Sequence, residues 1–444
     1  MIRSNLNFEK YIQAGLDIGT NKICCAISEI DVKTDTVRLL GIGNSNATSI
    51  NKGAITHRDN LIDEIENAVN EAKIMSGVSI ENIALGISGE HIRGINTQGA
   101  IAIGGSQPSN VQTQNEITSS DVKKVLDLAK AISLPMDRDI LHVLPQEYVI
   151  DTMNSIQDPI GLSGRRLEAK VHVITVATTA ATNLVSCVEE LGLRVDNIVY
   201  QGLASSLSTL NDDEKNLGSI CVDIGASTTD IVIFYENGIQ HTATLGIGAA
   251  SITNDIAVML KVGIDEAEKI KRTYASAKAS MSSPDLEFDL PAENGNLKRK
   301  ISENRLSQYV EARMVEILQL VMKEINRANI SEQLTFGMIL TGGGSQLKNL
   351  SSLAQEITNM RVRIGTPENI SGSVEIASEP SFASAIGLTK WKFDDDDITI
   401  NNGELSISNA FKKVRTLFKE TFTNSFLAKI AFRFNVKIVI FKIF

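Results

Sequence analysis

One motif occurs twice in this chain. Residues 14–27 read Ala-Gly-Leu-Asp-Ile-Gly-Thr-Asn-Lys-Ile-Cys-Cys-Ala-Ile, and residues 220–233 read Ile-Cys-Val-Asp-Ile-Gly-Ala-Ser-Thr-Thr-Asp-Ile-Val-Ile. Each copy is an apolar strand, an Asp-x-Gly turn with small polar residues, and a second apolar strand. That pattern is a β-hairpin closed by a glycine-containing turn. The copies start 206 residues apart, so the chain reads as two related halves. Glycines at the turns (Gly19, Gly225) let backbone N–H groups approach a phosphate closely. Thr20, Asn21, Ser227 and Thr228 add short polar side chains, Lys22 adds a cation, and Ala226 keeps the second turn small. Asp17 and Asp223 stand at the strand ends, where paired carboxylates can hold Mg²⁺ through its waters. A single Asp-x-Gly turn is an ordinary hairpin; two, one in each half, point to a nucleotide.

Both hairpins lead into α/β material. Residues 60–75 have helical spacing, with Leu61, Ile65, Ala68, Val69 and Ala72 on one face. From 84 to 166 the pattern changes to a hairpin-like stretch (84–103), a polar loop (104–118), an amphipathic helix (119–132) and a strand (139–151). We read this as an inserted αβ subdomain. A buried strand (171–177) and a helix (178–191) ended by Gly192 follow. In the second half, helices are expected at 249–260, 265–277 and 302–327, with a loop or strand insert at 281–296. A strand at 336–340 runs into Thr341-Gly-Gly-Gly-Ser345, where Gly342, Gly343 and Gly344 would let a flat ring lie against bare backbone. The same run also fits a plain tight turn. A short helix of small residues is expected at 381–389.

The expected organisation is a first-lobe core (10–83 and 167–204, with 381–392 returning to it) and the insert (84–166). The second lobe has a core (205–245 and 332–380) and a smaller subdomain (246–331). A solvated linker (393–409) and a basic amphipathic tail (410–444) complete the chain.

Several classes are disfavoured. No GxxxxGK[ST] loop and no GxGxxG after a strand is present. The formal charge is −10, and eight basic residues against one acidic lie between 411 and 444. The rest of the chain therefore carries 35 basic and 52 acidic residues, or −17, and no nucleic-acid partner is expected. Cys24, Cys25, Cys187 and Cys221 form no CxxC pair and read as buried thiols of a reducing compartment. The five histidines (His57, His91, His142, His172, His241) show no metal spacing and read as structural or surface residues. Asp212-Asp-Glu214 reads as a solvated loop. No apolar h-region opens the chain, and no run of about 18 uncharged apolar residues is present.

The tail has its own pattern. From an N-cap Ser408, Phe411, Val414, Leu417, Phe418 and Phe422 recur at helical spacing, while Lys412, Lys413, Arg415 and Lys419 take the other face. An aromatic face opposed to a basic one is the signature of a helix lying in a membrane interface. A helix docked on the body is the alternative. Each half-inserted apolar side chain is worth on the order of 1 kcal/mol. Each cation near anionic lipid adds about as much, ~1 kcal/mol. One copy would bind reversibly, and polymerisation would make attachment firm through avidity. Residues 425–444 continue with Lys429, Arg433, Lys437 and Lys442, and fit a helix face or a strand equally.

Five segments of this sequence resemble, in order, the actin-like ATPase superfamily, and within it the FtsA family of bacterial cell-division proteins. They are Leu16-Asp-Ile-Gly-Thr-Asn-Lys22, Gly202-Leu-Ala-Ser-Ser206, Val222-Asp-Ile-Gly-Ala-Ser-Thr-Thr-Asp230, Leu340-Thr-Gly-Gly-Gly-Ser345 and Arg361-Val-Arg-Ile-Gly365. The likeness runs nearly continuously from Gln13 to Trp391. It implies an α/β, actin-like (ribonuclease H-like) two-lobed ATPase fold with an inserted αβ subdomain and a C-terminal amphipathic tail. ATP would lie between the lobes, with Asp17 and Asp223 on the Mg side and Gly19, Thr20, Asn21, Lys22, Gly225, Ala226, Ser227 and Thr228 around the phosphates. Gly342, Gly343 and Gly344 would line the adenine. Glu268, Lys271 and Arg272, within Glu266-Ala-Glu-Lys-Ile-Lys-Arg272, would face the ligand; a solvated charged face is the alternative. Gln201 sits where such proteins orient the attacking water, and glutamine is no general base at neutral pH. ATP binding with at most slow hydrolysis is implied.

The resemblance further implies self-association into filaments and tethering of the C-terminal peptide of FtsZ to anionic lipids, at the cytoplasmic face of the inner membrane at midcell. Arg305 and Arg313 are candidates for meeting an acidic peptide, with surface solvation as the alternative. The insert would meet other division proteins. The family's chains end soon after the amphipathic helix, whereas this one continues. A small-molecule kinase would need a catalytic Asp between the halves, and none stands out. A DnaK-type chaperone would need a β-rich domain after Trp391, where only 53 residues remain. Pilus-assembly and rod-shape proteins are nearer, but rod-shape proteins keep actin's subdomain order.

Overall fold

A computed structural model describes residues 10–31, 33–34, 36–104, 116–290, 299–330, 333–372 and 377–391, and the backbone of 400–401 and 404–405. The first half opens with an antiparallel meander, β1 (Lys10–Ile18), β2 (Lys22–Asp31) and β3 (Thr36–Asn46). After α1 (Arg58–Ser76), β4 (Asn82–Ile87) pairs in parallel with β1. The chain then builds the insert from β5 (Arg93–Ala102), α2 (Ser119–Ala129), β6 (Arg138–Ile150), β7 (Met153–Ile156) and β8 (Arg166–Ala177). It returns through α3 (Thr178–Glu189) to β9 (Arg194–Tyr200), parallel to β4, and α4 (Gln201–Thr209).

The second half repeats this plan. β10 (Ser219–Ile224), β11 (Thr229–Tyr235) and β12 (Gly238–Leu245) form the meander. Helices α5 (Ala249–Leu260), α6 (Ile264–Tyr274) and α7 (Glu303–Ala328) follow. Then β13 (Gly337–Thr341) pairs in parallel with β10, and α8 (Leu350–Thr358) leads to β14 (Val362–Ile364) beside β13. Finally β15 (Ile370–Gly372) crosses back to pair with β3, and α9 (Ala383–Lys390) packs on the first sheet.

The two sheets run β9-β4-β1-β2-β3-β15 and β12-β11-β10-β13-β14. Apart from β15 they share one arrangement, a meander extended from its first strand by two parallel strands, so the sequence repeat is a duplication of topology. Strands covered on both faces hold adjacent rather than alternating apolar residues, as in Ile220-Cys-Val222 of β10, a strand buried throughout. The long helix α7 buries Leu306, Val310, Met314, Ile317, Leu318 and Val321, the expected face, and Ser302 caps it by accepting from Arg305 N–H at 3.3 Å. Each of these side chains, fully buried, contributes roughly 1.5–3 kcal/mol. The smallness of α9 also has a cause. It crosses α4 so closely that a Cβ on Gly387 would lie 1.7 Å from the Ala204 carbonyl oxygen.

The structure differs from the sequence reading in four places, the first being that 370–372, expected within the second-lobe core (332–380), is β15 of the first sheet. The stretch 84–103 is not one hairpin, because β4 belongs to the first-lobe sheet and β5 to the insert. The insert also does not end at 166, since β8 is an interior strand of its four-stranded sheet, in the order β5-β8-β6-β7. And 212–214 is a solvated loop only in part: Asp212 and Asp213 are exposed, but the segment is helical and Glu214 is buried. Asp212–Leu217 is a helical turn capped by Asn211, and Glu214, 3% exposed, takes two hydrogen bonds of 2.7 Å from Arg363. All four cysteines are buried, which pushes the thiols of Cys25 and Cys221 up to about 12.

No helix among the described residues is long and apolar enough to cross a membrane. In the unit beginning at residue 398, Ile400–Asn401 pairs antiparallel with Glu404–Leu405. The tail residues Phe411, Lys412, Lys413, Val414, Arg415, Leu417, Phe418, Lys419 and Phe422 lie outside the described residues.

Candidate functional site

The two Asp-x-Gly turns have the same backbone geometry. Gly19 N–H donates to Lys22 O at 3.0 Å, and Gly225 N–H donates to Thr228 O at 2.9 Å. They face one another across a cleft of about 560 Å³ between the lobes. Thr20 and Ser227 share a hydrogen bond through their hydroxyls, and Ser227 Oγ also accepts from Lys52 N–H at 3.0 Å. Gly19, Thr20, Asn21, Lys22, Gly225, Ala226 and Thr228 line the cleft, while Ser227 ties the lobes together at its edge. The Lys22 ammonium is held by Ser381, donating to its carbonyl at 2.7 Å and its hydroxyl at 3.2 Å, and lies 3.7 Å from the centroid of the Phe382 ring.

Three carboxylates project into this space. Asp17 and Asp223 end the first strand of each meander, and Asp230 stands opposite Asp223 on β11. Ser384 donates to Asp223 at 2.9 Å. Asp230 accepts from Ser88 at 2.7 Å on each oxygen and from Thr244 at 2.7 Å. Burial, and then the charge of Asp223, push Asp17 up to about 7. Burial likewise pushes Asp230 up to about 7 and raises Asp223. Oxygen donors that resist ionisation together are a site for a hard cation, whose charge would relieve their repulsion. Among the described residues no group of three His, Cys, Asp or Glu is close enough to hold a metal unaided. A cation here would share its coordination with waters and ligand oxygens. Gln201 also lines the cleft, its Nε2 donating to Asp17 at 2.5 Å and to Ile18 O at 3.2 Å.

On the far side, α6 presents Glu268, Lys271 and Arg272 to the cleft. Glu268 accepts from Thr253 and from Lys271, each at 2.6 Å, and from Arg272 at 2.9 Å. Burial works against its charge, but these hydrogen bonds prevail and hold its pKa down. Glu268 and Lys271 are fixed as part of the cleft wall, whereas the Arg272 side chain is largely solvent-exposed.

The glycine run divides into two roles. Gly342 has φ +80°, and a Cβ there would meet Asp223 Oδ1 at 2.1 Å; a Cβ on Gly344 would meet Ile224 Cγ2 at 2.5 Å. Both seat the turn against the end of β10. Gly343 has open space, its nearest neighbour being Ser381 Cβ at 4.0 Å, so it is the glycine a ligand can rest on. The run forms a short 3-10 turn, Gly343–Gln346, before α8 begins.

Arg305 and Arg313 lie on α7, outside the cleft. Arg313 is committed to Asp255, at 2.6 and 2.9 Å, and to Glu316. Arg305 is exposed, and its partner in hydrogen-bond range among the described residues is the neutral Tyr309 hydroxyl at 3.3 Å. Of the two, Arg305 is the one able to offer charge to an acidic peptide.

Sequence reasoning assigned no role to Asp230, Ser88 or Ser384. Asp230 was within reach, because the hairpin register places it opposite Asp223. In the first copy the equivalent position is Cys24, opposite Asp17, so comparing the repeats hid the carboxylate.

A family model described as "Cell division protein FtsA" matches residues 220–387, and one described as "SHS2 domain inserted in FTSA" matches residues 89–175. The latter span agrees with β5–β8. FtsA of Pseudomonas aeruginosa is 38% identical over 374 residues, covering 84% of this chain and 87% of that protein. FtsA of Escherichia coli K12 is 33% identical over 387 residues, covering 86% and 90%. Among solved structures, a chain of a PilM–PilN type IV pilus biogenesis complex aligns with a TM-score of 0.61 at 17% identity, covering 85% of this chain and 97% of that one, a likeness of fold. The duplicated meander, the insert bounded by β5 and β8 and the identity sustained across both lobes agree: this chain has the actin-like ATPase fold and belongs to the FtsA family of bacterial cell-division proteins.

Proposed function

We propose that the chain binds ATP with Mg²⁺ in the cleft, self-associates into filaments, and tethers FtsZ to the cytoplasmic face of the inner membrane through its basic amphipathic tail. The observation that carries this reading is the pair of equivalent glycine turns facing one cleft, with Asp17, Asp223 and Asp230 between them.

Asp17 and Asp223, joined by Asp230, would hold Mg²⁺ through its waters. Bound there, the cation would neutralise phosphate charge. Backbone N–H groups of the two turns, with Thr20, Asn21, Lys22 and Thr228, would cradle the phosphates. Gly343 would support the base, and Glu268, Lys271 and Arg272 the ribose side. Gln201, anchored by Asp17, would orient a water without removing its proton, which fits binding with slow turnover. The FtsZ C-terminal peptide would meet α7 near Arg305, and the insert would meet later division proteins. The tail would bind anionic lipid weakly per copy, and filament formation would multiply that attachment.

Co-sedimentation with anionic vesicles tests the tether, using the full chain and a version ending at Trp391, each with and without ATP. The full chain should pellet with the vesicles and the shortened one should not. Equal pelleting of both would refute it.

A further inference from the structure

Trp391, the chain's single tryptophan, closes α9. Its ring packs on His142 of β6, with centroids 5.0 Å apart and planes at 46°. Its carbonyl accepts from Gln13 Nε2 of β1 at 2.9 Å, and the same nitrogen reaches Leu388 O at 3.2 Å. His142 Nε2 accepts the backbone N–H of Tyr200 at 3.1 Å, so its neutral ring carries its proton on Nδ1. Burial keeps that ring neutral, its pKa pushed down to about 3.

Tyr200 is wholly buried and reaches the other way as well. Its hydroxyl donates to Ala243 O at 2.9 Å and lies 3.2 Å from Thr244 Oγ1, which donates to Asp230. The next residue, Gln201, donates to Asp17. One dipeptide, Tyr200–Gln201, therefore touches two of the three cleft carboxylates, directly or through one threonine, and also holds the histidine under Trp391. Among the described residues, His142 Nδ1 and Gln13 Oε1, on side chains 3% and 4% exposed, have no hydrogen-bond partner. A buried donor and a buried acceptor left over on the two side chains that contact Trp391 mark a place with a second arrangement within reach.

We propose that Trp391 is coupled to the cleft through Tyr200 and His142, so that a magnesium–nucleotide in the cleft shifts the His142–Trp391 contact from which the C-terminal segment departs. The inference rests on the nucleotide reading above. By linkage, whatever fixes the His142–Trp391 contact in one arrangement alters nucleotide affinity by the same factor.

The test uses the full chain. Tryptophan emission, which reports Trp391 alone, is followed during titration with MgATP, while bound ATP is measured separately by equilibrium dialysis. The wild type should give a saturable emission change that tracks bound ATP. His142→Leu should lose that change when compared at equal, saturating ATP occupancy. Tyr200→Phe, which keeps the ring and removes the hydroxyl, should weaken the change at equal occupancy if the leucine variant does not fold. Bound ATP without an emission change in the wild type, or a full response in a folded variant, overturns the coupling and leaves the nucleotide reading standing. Absence of bound ATP overturns both.

Discussion

Gly342 and Gly343 are neighbours in one turn, and alanine at each should act in opposite ways. At Gly342 the backbone (φ +80°, ψ 170°) lies in a region that essentially only glycine occupies, which costs about 1–3 kcal/mol for another residue. The added methyl would also stand 2.1 Å from Asp223 Oδ1 and 2.7 Å from Ile224 O. Overpacking of that kind costs about 1–3 kcal/mol more. Gly342→Ala should therefore lose about 2–6 kcal/mol, which lowers the melting temperature by roughly 4–24 °C for a domain-sized unit. It should displace Asp223 as well. At Gly343 the nearest atom is 4.0 Å away, so Gly343→Ala should keep its stability within about 0.5 kcal/mol. Its methyl enters the cleft, and ATP affinity should fall about tenfold or more, or ~1.4 kcal/mol. Calorimetry of nucleotide-free protein reads the first effect, and ATP titration the second. Equal melting temperatures for the two variants would refute the division of roles.

Two further outcomes follow from buried charge. Arg363→Ala leaves the Glu214 carboxylate, 3% exposed, with only its capping contacts, and should cost about 2–3 kcal/mol in urea unfolding, with little sensitivity to salt; a loss below about 0.5 kcal/mol would contradict it. In nucleotide-free protein, Asp17 and Asp230 titrate near 7 when folded and near 4 when unfolded. The folded state thus holds more protons between those values, so the contribution of these groups to stability falls as pH rises from about 4 to 7 and is flat above. Asp230→Asn should flatten that slope in urea midpoints measured from pH 5 to pH 8; an unchanged slope would contradict the assignment.

The parts of the site that were legible in the sequence are those where chemistry is local. The two turns declare themselves because Asp, Gly and the small polar residues all lie within seven positions. The helix α7 is legible because Leu306, Val310, Met314 and Ile317 repeat at the helical period. What was hidden depends on distant partners. Glu214 looks solvated until Arg363, 149 residues away, folds beside it. β4 and β5 look like one hairpin because Ser88-Gly-Glu90 resembles a turn, yet the two strands join different sheets. Ser88 and Ser384 are ordinary serines until their strand end and helix start deliver them to Asp230 and Asp223.

The central claim is that the paired turns and their carboxylates bind a magnesium–nucleotide. Calorimetric titration of ATP into the wild type and Asp223→Ala, with and without Mg²⁺, tests it most directly. The wild type should bind, more tightly with the cation, and Asp223→Ala should bind at least about tenfold more weakly and lose most of the dependence on Mg²⁺. Equal affinity and equal Mg²⁺ dependence in the two proteins would place the site elsewhere.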